Sequence, residues 1–301
     1  MKQDNKFNML SFTGKMKILH LSWMAFFITF VVWFNHAPLL GLIAKSLNIS
    51  MAEVKTLLIL NVALTIPARI IIGMLTDKFG PRLTYSFLLF AGSIPCFWFA
   101  FATDFAQLAM ARLLLGFVGA GFVIGIRMVS EWFPANELGI AEGIYGGWGN
   151  FGSAAAAILL PTIALFFGGD DGWRYAVGFS GLICLAFSFV WYTNVTDSPK
   201  GSTYFKSKKM GGLEVTSKGD FFFLLLMKLP MYIALVLVTW KLSPHGVALI
   251  SASAASGVYA ILAAILVYDC FSVYKVNKEI FHTPVPEIQR YQFKQVAAVN
   301  I

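Results

Sequence analysis

Charge is scarce in this sequence: 13% of its 301 residues are Asp, Glu, Lys or Arg, about half the share usual in water-soluble domains. That shortage excludes a globule wrapped in a polar skin. It equally excludes a disordered chain, which carries charge where this one carries apolar side chains. Carboxylates are the rarer sign, 15 against 23 Lys and Arg for a net charge of +8. Their scarcity inside the apolar runs disfavours an obvious proton relay. Cysteine is nearly absent, and Cys96, Cys184 and Cys270 lie far apart within apolar runs, a spacing that suits neither a disulfide framework nor a metal cluster. Paired mid-run carboxylates, a nucleophile elbow, a phosphate loop and metal-ligand spacing are all missing, so neither an enzyme nor a cofactor or metal is expected. The basic run Lys206-Ser207-Lys208-Lys209 lacks the interleaved aromatics of a nucleic-acid site, and attraction to anionic lipid is its ordinary reading.

What remains is hydrophobic, at 58% of the chain. Crossing about 30 Å of hydrocarbon takes about 20 apolar residues in a helix. Six runs meet that length: Ile18–Ala44, Leu57–Leu75, Thr84–Ala102, Phe105–Val129, Gly139–Phe167 and Tyr175–Val195. Two more, Phe221–Trp240 and Val247–Tyr268, follow a basic stretch; Lys228 and Pro230 interrupt the first of them, so this pair either spans or lies partly in the interface. The expected organisation is an N-terminal segment over 1–17, a six-span bundle over 18–195, a basic linker over 196–220, a hydrophobic hairpin over 221–268 and a polar tail over 269–301. The tail regains apolar character at Val296-Ala297-Ala298-Val299, as if another span were about to begin. The first apolar stretch runs on without a convincing cleavage site, which argues against a signal peptide.

Orientation follows from the loops. Lys2, Lys6, Lys15 and Lys17 precede the first span, and Lys78 and Arg82 follow the second. Lys200, Lys206, Lys208, Lys209 and Lys218 follow the sixth; Lys275, Lys278, Arg290 and Lys294 lie in the tail. The alternate loops, around Asp104 and around Asp170-Asp171, are poor in lysine, with Lys45 and Lys55 the one lapse. Both termini are therefore expected on the cytoplasmic side of a plasma or inner membrane.

Three motifs carry chemistry. Gly73-Met74-Leu75-Thr76-Asp77-Lys78-Phe79-Gly80-Pro81-Arg82 places glycines for close approach and a tight turn, with Asp77 free to cap or pair at a helix end. It resembles the G-x-L-x-D-x-x-G-x-R loop that joins spans two and three of the major facilitator superfamily. Arg69 lies eight residues before Asp77, about 12 Å along a helix, too deep for its side chain to reach the interface easily. An intramembrane guanidinium needs a partner or a wet cavity, and its flat fork suits a small oxyanion; a structural pairing is the alternative. In the fifth span, Gly146, Gly149 and Gly152 recur at spacing three, a stripe that permits close helix packing. Asn150 sits within that stripe, flanked by Tyr145, Trp148 and Phe151.

The run Gly146-Gly147-Trp148-Gly149-Asn150-Phe151-Gly152 resembles the glycine-rich signature of the nitrate/nitrite porter family within that superfamily. Ile124 through Pro134 and Asp170-Asp171-Gly172-Trp173-Arg174 are similar to the same family. The resemblance implies an all-α polytopic membrane protein with a major-facilitator-type six-helix N-terminal bundle, to which the hydrophobic helical hairpin is added. It implies transport of nitrate or nitrite by alternating access, with Arg69 and Asn150 as anion ligands and Gly149 and Tyr145 beside them. Gly73, Asp77, Gly80, Arg82, Arg112, Arg127 and Glu131 would form the gating and structural motifs. Arg112 is a coupling group, a buried ion pair or a carbonyl cap. Arg127 and Glu131, four apart, share a helix face and form an inner gate with Asp77 or simply cap helix ends. His36 near the end of the first span reads as a satisfied structural group ahead of a proton-coupling one.

The family has twelve spans in two halves, whereas one G-x-L-x-D-x-x-G loop and one glycine signature occur here. The expectation is an N-terminal half with a central insertion, partnered by a C-terminal six-span half from the same gene product or a separate chain. Two other functions compete: a porter for another small anion, and a non-transporting membrane module that docks on a complete porter.

Overall fold

The computed structural model describes residues 7–204, 215 and 217–282. Lys2, Lys6, Lys206, Lys208, Lys209, Arg290, Lys294 and the apolar stretch 296–299 lie outside the described residues, as do parts of the N-terminal, linker and tail segments. The chain divides into two compact units, Met1–Lys208 and Lys209–Ile301.

Eight helical segments among the described residues are long and apolar enough to cross a membrane. Several expected spans are broken where backbone chemistry demands it. The first consists of α1 (Gly14–Phe34), a 3-10 turn at Ala37–Leu39 and α2 (Leu40–Leu47). Pro38 has no N–H to continue the ladder, so the helix restarts beyond it. The second span is α3 (Met51–Ala63) and α4 (Thr65–Phe79). Its start lies six residues ahead of the expected Leu57 because Ser50 and Glu53 form a capping box, with the Ser50 N–H donating to Glu53 Oε2 at 2.6 Å. Its break at Leu64 has a simple cause: Pro67 cannot donate to the carbonyl four residues back and falls instead in the first turn of α4.

The third span is α5 (Pro81–Phe101). The fourth is α6 (Phe105–Leu115), a 3-10 segment at Gly116–Ala120, and α7 (Gly121–Trp132). The fifth is α8 (Ala135–Phe167) and the sixth α9 (Gly172–Asn194). Within this unit α1 packs most extensively on α8, and α5 on α9. Large apolar side chains face outward, with Phe101, Leu165 and Phe166 between 73% and 84% exposed, as suits a hydrocarbon solvent. At the end where α8 meets α9, Lys45 pairs with Asp170 at 3.0 Å, which gives that out-of-place lysine a counter-charge. Arg174 donates to Asp171 at 2.7 Å, and that hydrogen bond holds the Asp171 carboxyl below its ordinary range.

In the second unit α10 (Lys218–Leu242) and α11 (Ala252–Asn277) pack together, followed by the short α12 (Glu279–His282). Contrary to expectation, Lys228 and Pro230 do not interrupt the seventh span, since α10 runs through both. The charge is tolerated because Lys228 Nζ donates to both carboxylate oxygens of Asp269 on α11, at 2.8 and 2.7 Å. Tyr232 donates to the same carboxylate at 3.3 Å. Opposite charges placed together in hydrocarbon avoid the penalty that each would incur alone. The eighth span starts later than the expected Val247: residues 243–251 form a loop, and Ser251 caps α11 by accepting from Ala254 N at 3.2 Å.

Candidate functional site

Arg69 follows the Pro67 restart by two residues and is exposed on α4. Its guanidinium carbon lies 5.8 Å from the centre of the Phe122 ring on α7, within cation–π range. It makes no hydrogen bond or ion pair with any described residue. A guanidinium has five N–H donors, and here their fork remains open to a ligand. Phe122 belongs to a stacked shelf: its ring is 6.1 Å from Tyr145 and 5.3 Å from Phe26, and Phe26 lies 5.0 Å from Tyr145.

The fifth span corrects two expectations. Tyr145 does not face an open cavity; it is fully buried, donating to Phe122 O at 3.0 Å. Gly149 also faces inward. A Cβ built there would meet Phe26 Cδ1 at 1.7 Å, and one at Gly152 would meet the Phe27 carbonyl oxygen at 2.3 Å. These two glycines let α1 lie against α8 and are packing positions. Gly146, expected in the same stripe, has open space where its Cβ would be. The buried line on α8 runs Tyr145, Gly149, Gly152, Ala156, the 3.6-residue period of a helix face and not a repeat of three. Asn150 points the other way and is exposed; its amide donates to Gly146 O at 2.8 Å, one turn back. No contact joins Asn150 to Arg69. Arg69 on α4 approaches Phe122 of α7, whose ring stacks on Tyr145 of α8.

At the α4–α5 end of the bundle, the three expected gate residues meet. Arg127 Nε lies 3.7 Å from Asp77 on α4, and its Nη1 lies 3.5 Å from Glu131 one turn along α7. Tyr204, from the chain after α9, joins them: Arg127 Nε donates to its hydroxyl at 3.3 Å, and the guanidinium sits 5.1 Å from its ring centre. Burial pushes the Tyr204 phenol above its ordinary pKa, while the Arg127 hydrogen bond pulls the other way. Gly73 lies against α7, where an added Cβ would be 3.6 Å from Val123. Gly80 has φ +91°, open to glycine at little cost, and the Asp197 carboxylate occupies the space of its missing Cβ at 2.6 Å. Arg82 does not join the Asp77 cluster; its Nε donates to Tyr192 O on α9 at 2.8 Å, over the Tyr192 ring.

Arg112 on α6 is wholly buried away from that cluster. It donates to Asn35 Oδ1 at 3.0 Å and, through Nη2, to Trp33 O and Asn61 Oδ1. Asn35 is fixed in turn by donating to Ser180 Oγ at 3.0 Å. The ligands are neutral oxygens from the first and second spans, which favours the carbonyl-cap reading over an ion pair. His36 departs from its expected role, because neither ring nitrogen has a partner among the described residues although the ring is buried.

Phe122, Tyr204 and Asp197 were not legible as site residues. Each acts across more than 50 positions of sequence, and no local pattern marks them; the one available hint for Asp197 was an acidic residue immediately after the sixth apolar run.

The Major Facilitator Superfamily profile matches residues 22–277. Over 97% of its length the chain is 45% identical to the nitrate/nitrite transporter NrtP of Nostoc punctiforme, covering 60% of that protein. It is 42% identical to NrtP of Picosynechococcus sp., covering 97% of this chain and 59% of that one. The high affinity nitrate transporter 2.5 of Arabidopsis thaliana is 31% identical over 68% of this chain and 41% of its own. The chain thus spans about three fifths of the length of the two cyanobacterial relatives. A crystal structure of a bacterial homolog of the human lysosomal transporter Spinster, inward-facing and unoccupied, superposes with a TM-score of 0.56 at 16% identity, over 78% of this chain and 57% of that one; it shares the fold. Eight helical segments among the described residues long and apolar enough to cross a membrane, together with this kinship, define a multi-pass membrane protein: the chain belongs to the Major Facilitator Superfamily, beside its nitrate and nitrite transporters.

Proposed function

We propose that this chain supplies one six-span half of a porter that moves nitrate or nitrite by alternating access. The observation that carries the reading is Arg69: an exposed guanidinium on an apolar helix, resting on the Phe122 ring and bonded to no described residue. Nitrate and nitrite are flat, singly charged and weakly hydrated. A planar fork can donate two parallel hydrogen bonds to such an anion, and the Phe122 ring lies within cation–π range of it. Asn150 adds an amide donor at the midpoint of α8, on the span equivalent to that of Arg69 in an inverted repeat. The names of the cyanobacterial relatives favour this anion class over other small anions.

In this reading a C-terminal six-span half, from the same polypeptide or a second one, closes the other side of the cavity. The six-span bundle over 18–195 carries the site, and the hairpin over 221–268 is an accessory membrane element. The lysine-rich loops put both termini in the cytoplasm of a cell whose plasma or inner membrane holds the porter.

Labelled-nitrate uptake by transporter-deficient cells tests the reading. Residues 1–301 alone are expected to give no uptake above background, and co-expression with a C-terminal half from a cyanobacterial relative is expected to restore it. Full uptake by residues 1–301 alone would contradict the half-site, and restored uptake blocked by carboxylates but not by nitrite would contradict the anion class.

A further inference from the structure

The nine residues after Val195 run past the inner ends of three spans and touch each in turn. Trp132 on α7 donates its indole N–H to Thr196 O at 3.2 Å. The backbone N–H of Arg82, at the start of α5, donates to the Asp197 carboxylate at 2.7 Å. Tyr204 then donates its hydroxyl to Thr76 O at the end of α4, at 3.0 Å, while accepting from Arg127 Nε of α7.

We propose that Tyr204 is a positioning residue of the gate: its hydroxyl ties the last turn of α4 to Arg127 and keeps that guanidinium aimed across at Asp77. The proposal rests on reading Asp77, Arg127 and Glu131 as a gate, and adds a strap that has to release when the gate opens. Partly exposed ion pairs at 3.5–3.7 Å are individually weak. Arg127 has a carboxylate on its own helix, Glu131, and pairing there joins no two helices. Asp77 is the partner that joins α7 to α4, and its side chain is 54% exposed. The choice between the two acids is therefore set by whatever orients the guanidinium. Tyr204 does so twice, through the ring beneath it and through the hydroxyl at Nε. The same hydroxyl gives a second donor to Thr76 O in the last turn of α4, which also accepts from Gly80 N at 2.8 Å. One group thus contacts both halves of the gate, and it lies at the near end of the linker.

The test is initial-rate nitrate uptake by the transport-competent protein. Tyr204→Phe keeps the ring and removes only the hydroxyl. It is expected to lower Vmax about five- to tenfold, because an unloaded carrier recloses this gate in every cycle, while KM stays within about twofold. Asp197→Asn, which loosens the strap at its other anchor, is expected to act in the same direction. Combined with Asp77→Asn, Tyr204→Phe is expected to add little, since both remove one linkage. A wild-type Vmax in Tyr204→Phe alongside a slow Asp77→Asn would overturn the strap and leave the gate standing. Effects of the two that multiply would overturn it equally. Wild-type rates in both Asp77→Asn and Arg127→Ala would remove the gate reading and the strap together.

Discussion

Arg69→Lys is expected to lower kcat/KM for nitrate about 10- to 100-fold, mostly through KM, in the complete transporter. The substitution keeps the charge, so a site that needs only a cation near the anion would tolerate it. A planar anion held by two parallel N–H donors would not. A charge-assisted hydrogen bond is worth about 1.5–3 kcal/mol, a lysine ammonium can replace one of the pair but not both in plane, and about 1.4 kcal/mol is tenfold in rate. The Phe122 ring sharpens the expectation. Its centre lies 5.8 Å from the Arg69 guanidinium carbon, and a more strongly hydrated ammonium sits less readily beside an aromatic ring than a guanidinium does. Initial uptake rates across nitrate concentrations decide it. A wild-type KM in Arg69→Lys would take Arg69 out of the anion site.

Gly152→Ala is expected to destabilise the packing of α1 on α8 severely. Its Cβ would lie 2.3 Å from the Phe27 carbonyl oxygen, and backbone cannot rotate aside as a side-chain tip can. Gly149→Ala meets Phe26, itself packed by Phe30, Phe122 and Tyr145. Either change forces α1 from α8 by about an ångström, and overpacking of this kind costs about 1–3 kcal/mol. Gly146→Ala is the internal control, because open space surrounds its Cβ position. Thermal unfolding in detergent is expected to show a lower midpoint for Gly149→Ala, a still lower midpoint or no folded protein for Gly152→Ala, and no change for Gly146→Ala. Equal midpoints for Gly146→Ala and Gly152→Ala would contradict the packing.

These cases mark how far the sequence could be read. Span number and fold class follow from run length and the polarity of loops, which are local properties, and the breaks at Pro38 and Pro67 follow from a missing N–H. The meeting of Asp77, Arg127 and Glu131 was legible for a related reason: Arg127 and Glu131 are one helical turn apart, and Asp77 sits in a loop pattern of known kind. The glycine signature misled in part. A spacing of three in the sequence drifts around a helix of 3.6 residues per turn, so Gly146, Gly149 and Gly152 do not share one face, and Tyr145 joins the buried side while Asn150 joins the open one. Lys228 looked like a break because its counter-charge, Asp269, lies 41 residues on. Phe122 beneath Arg69 and Tyr204 beside Arg127 were invisible for the same reason, since a ring that supports a guanidinium needs only position.

Arginine-selective modification by phenylglyoxal, read peptide by peptide by mass spectrometry on the membrane-embedded protein, is the most direct test of the claim that an accessible guanidinium grips the anion. Arg69 is expected to be modified in gluconate and protected by millimolar nitrate, while the fully buried Arg112 stays unmodified in both. An Arg69 that resists the reagent, or that reacts equally with and without nitrate, would contradict the account.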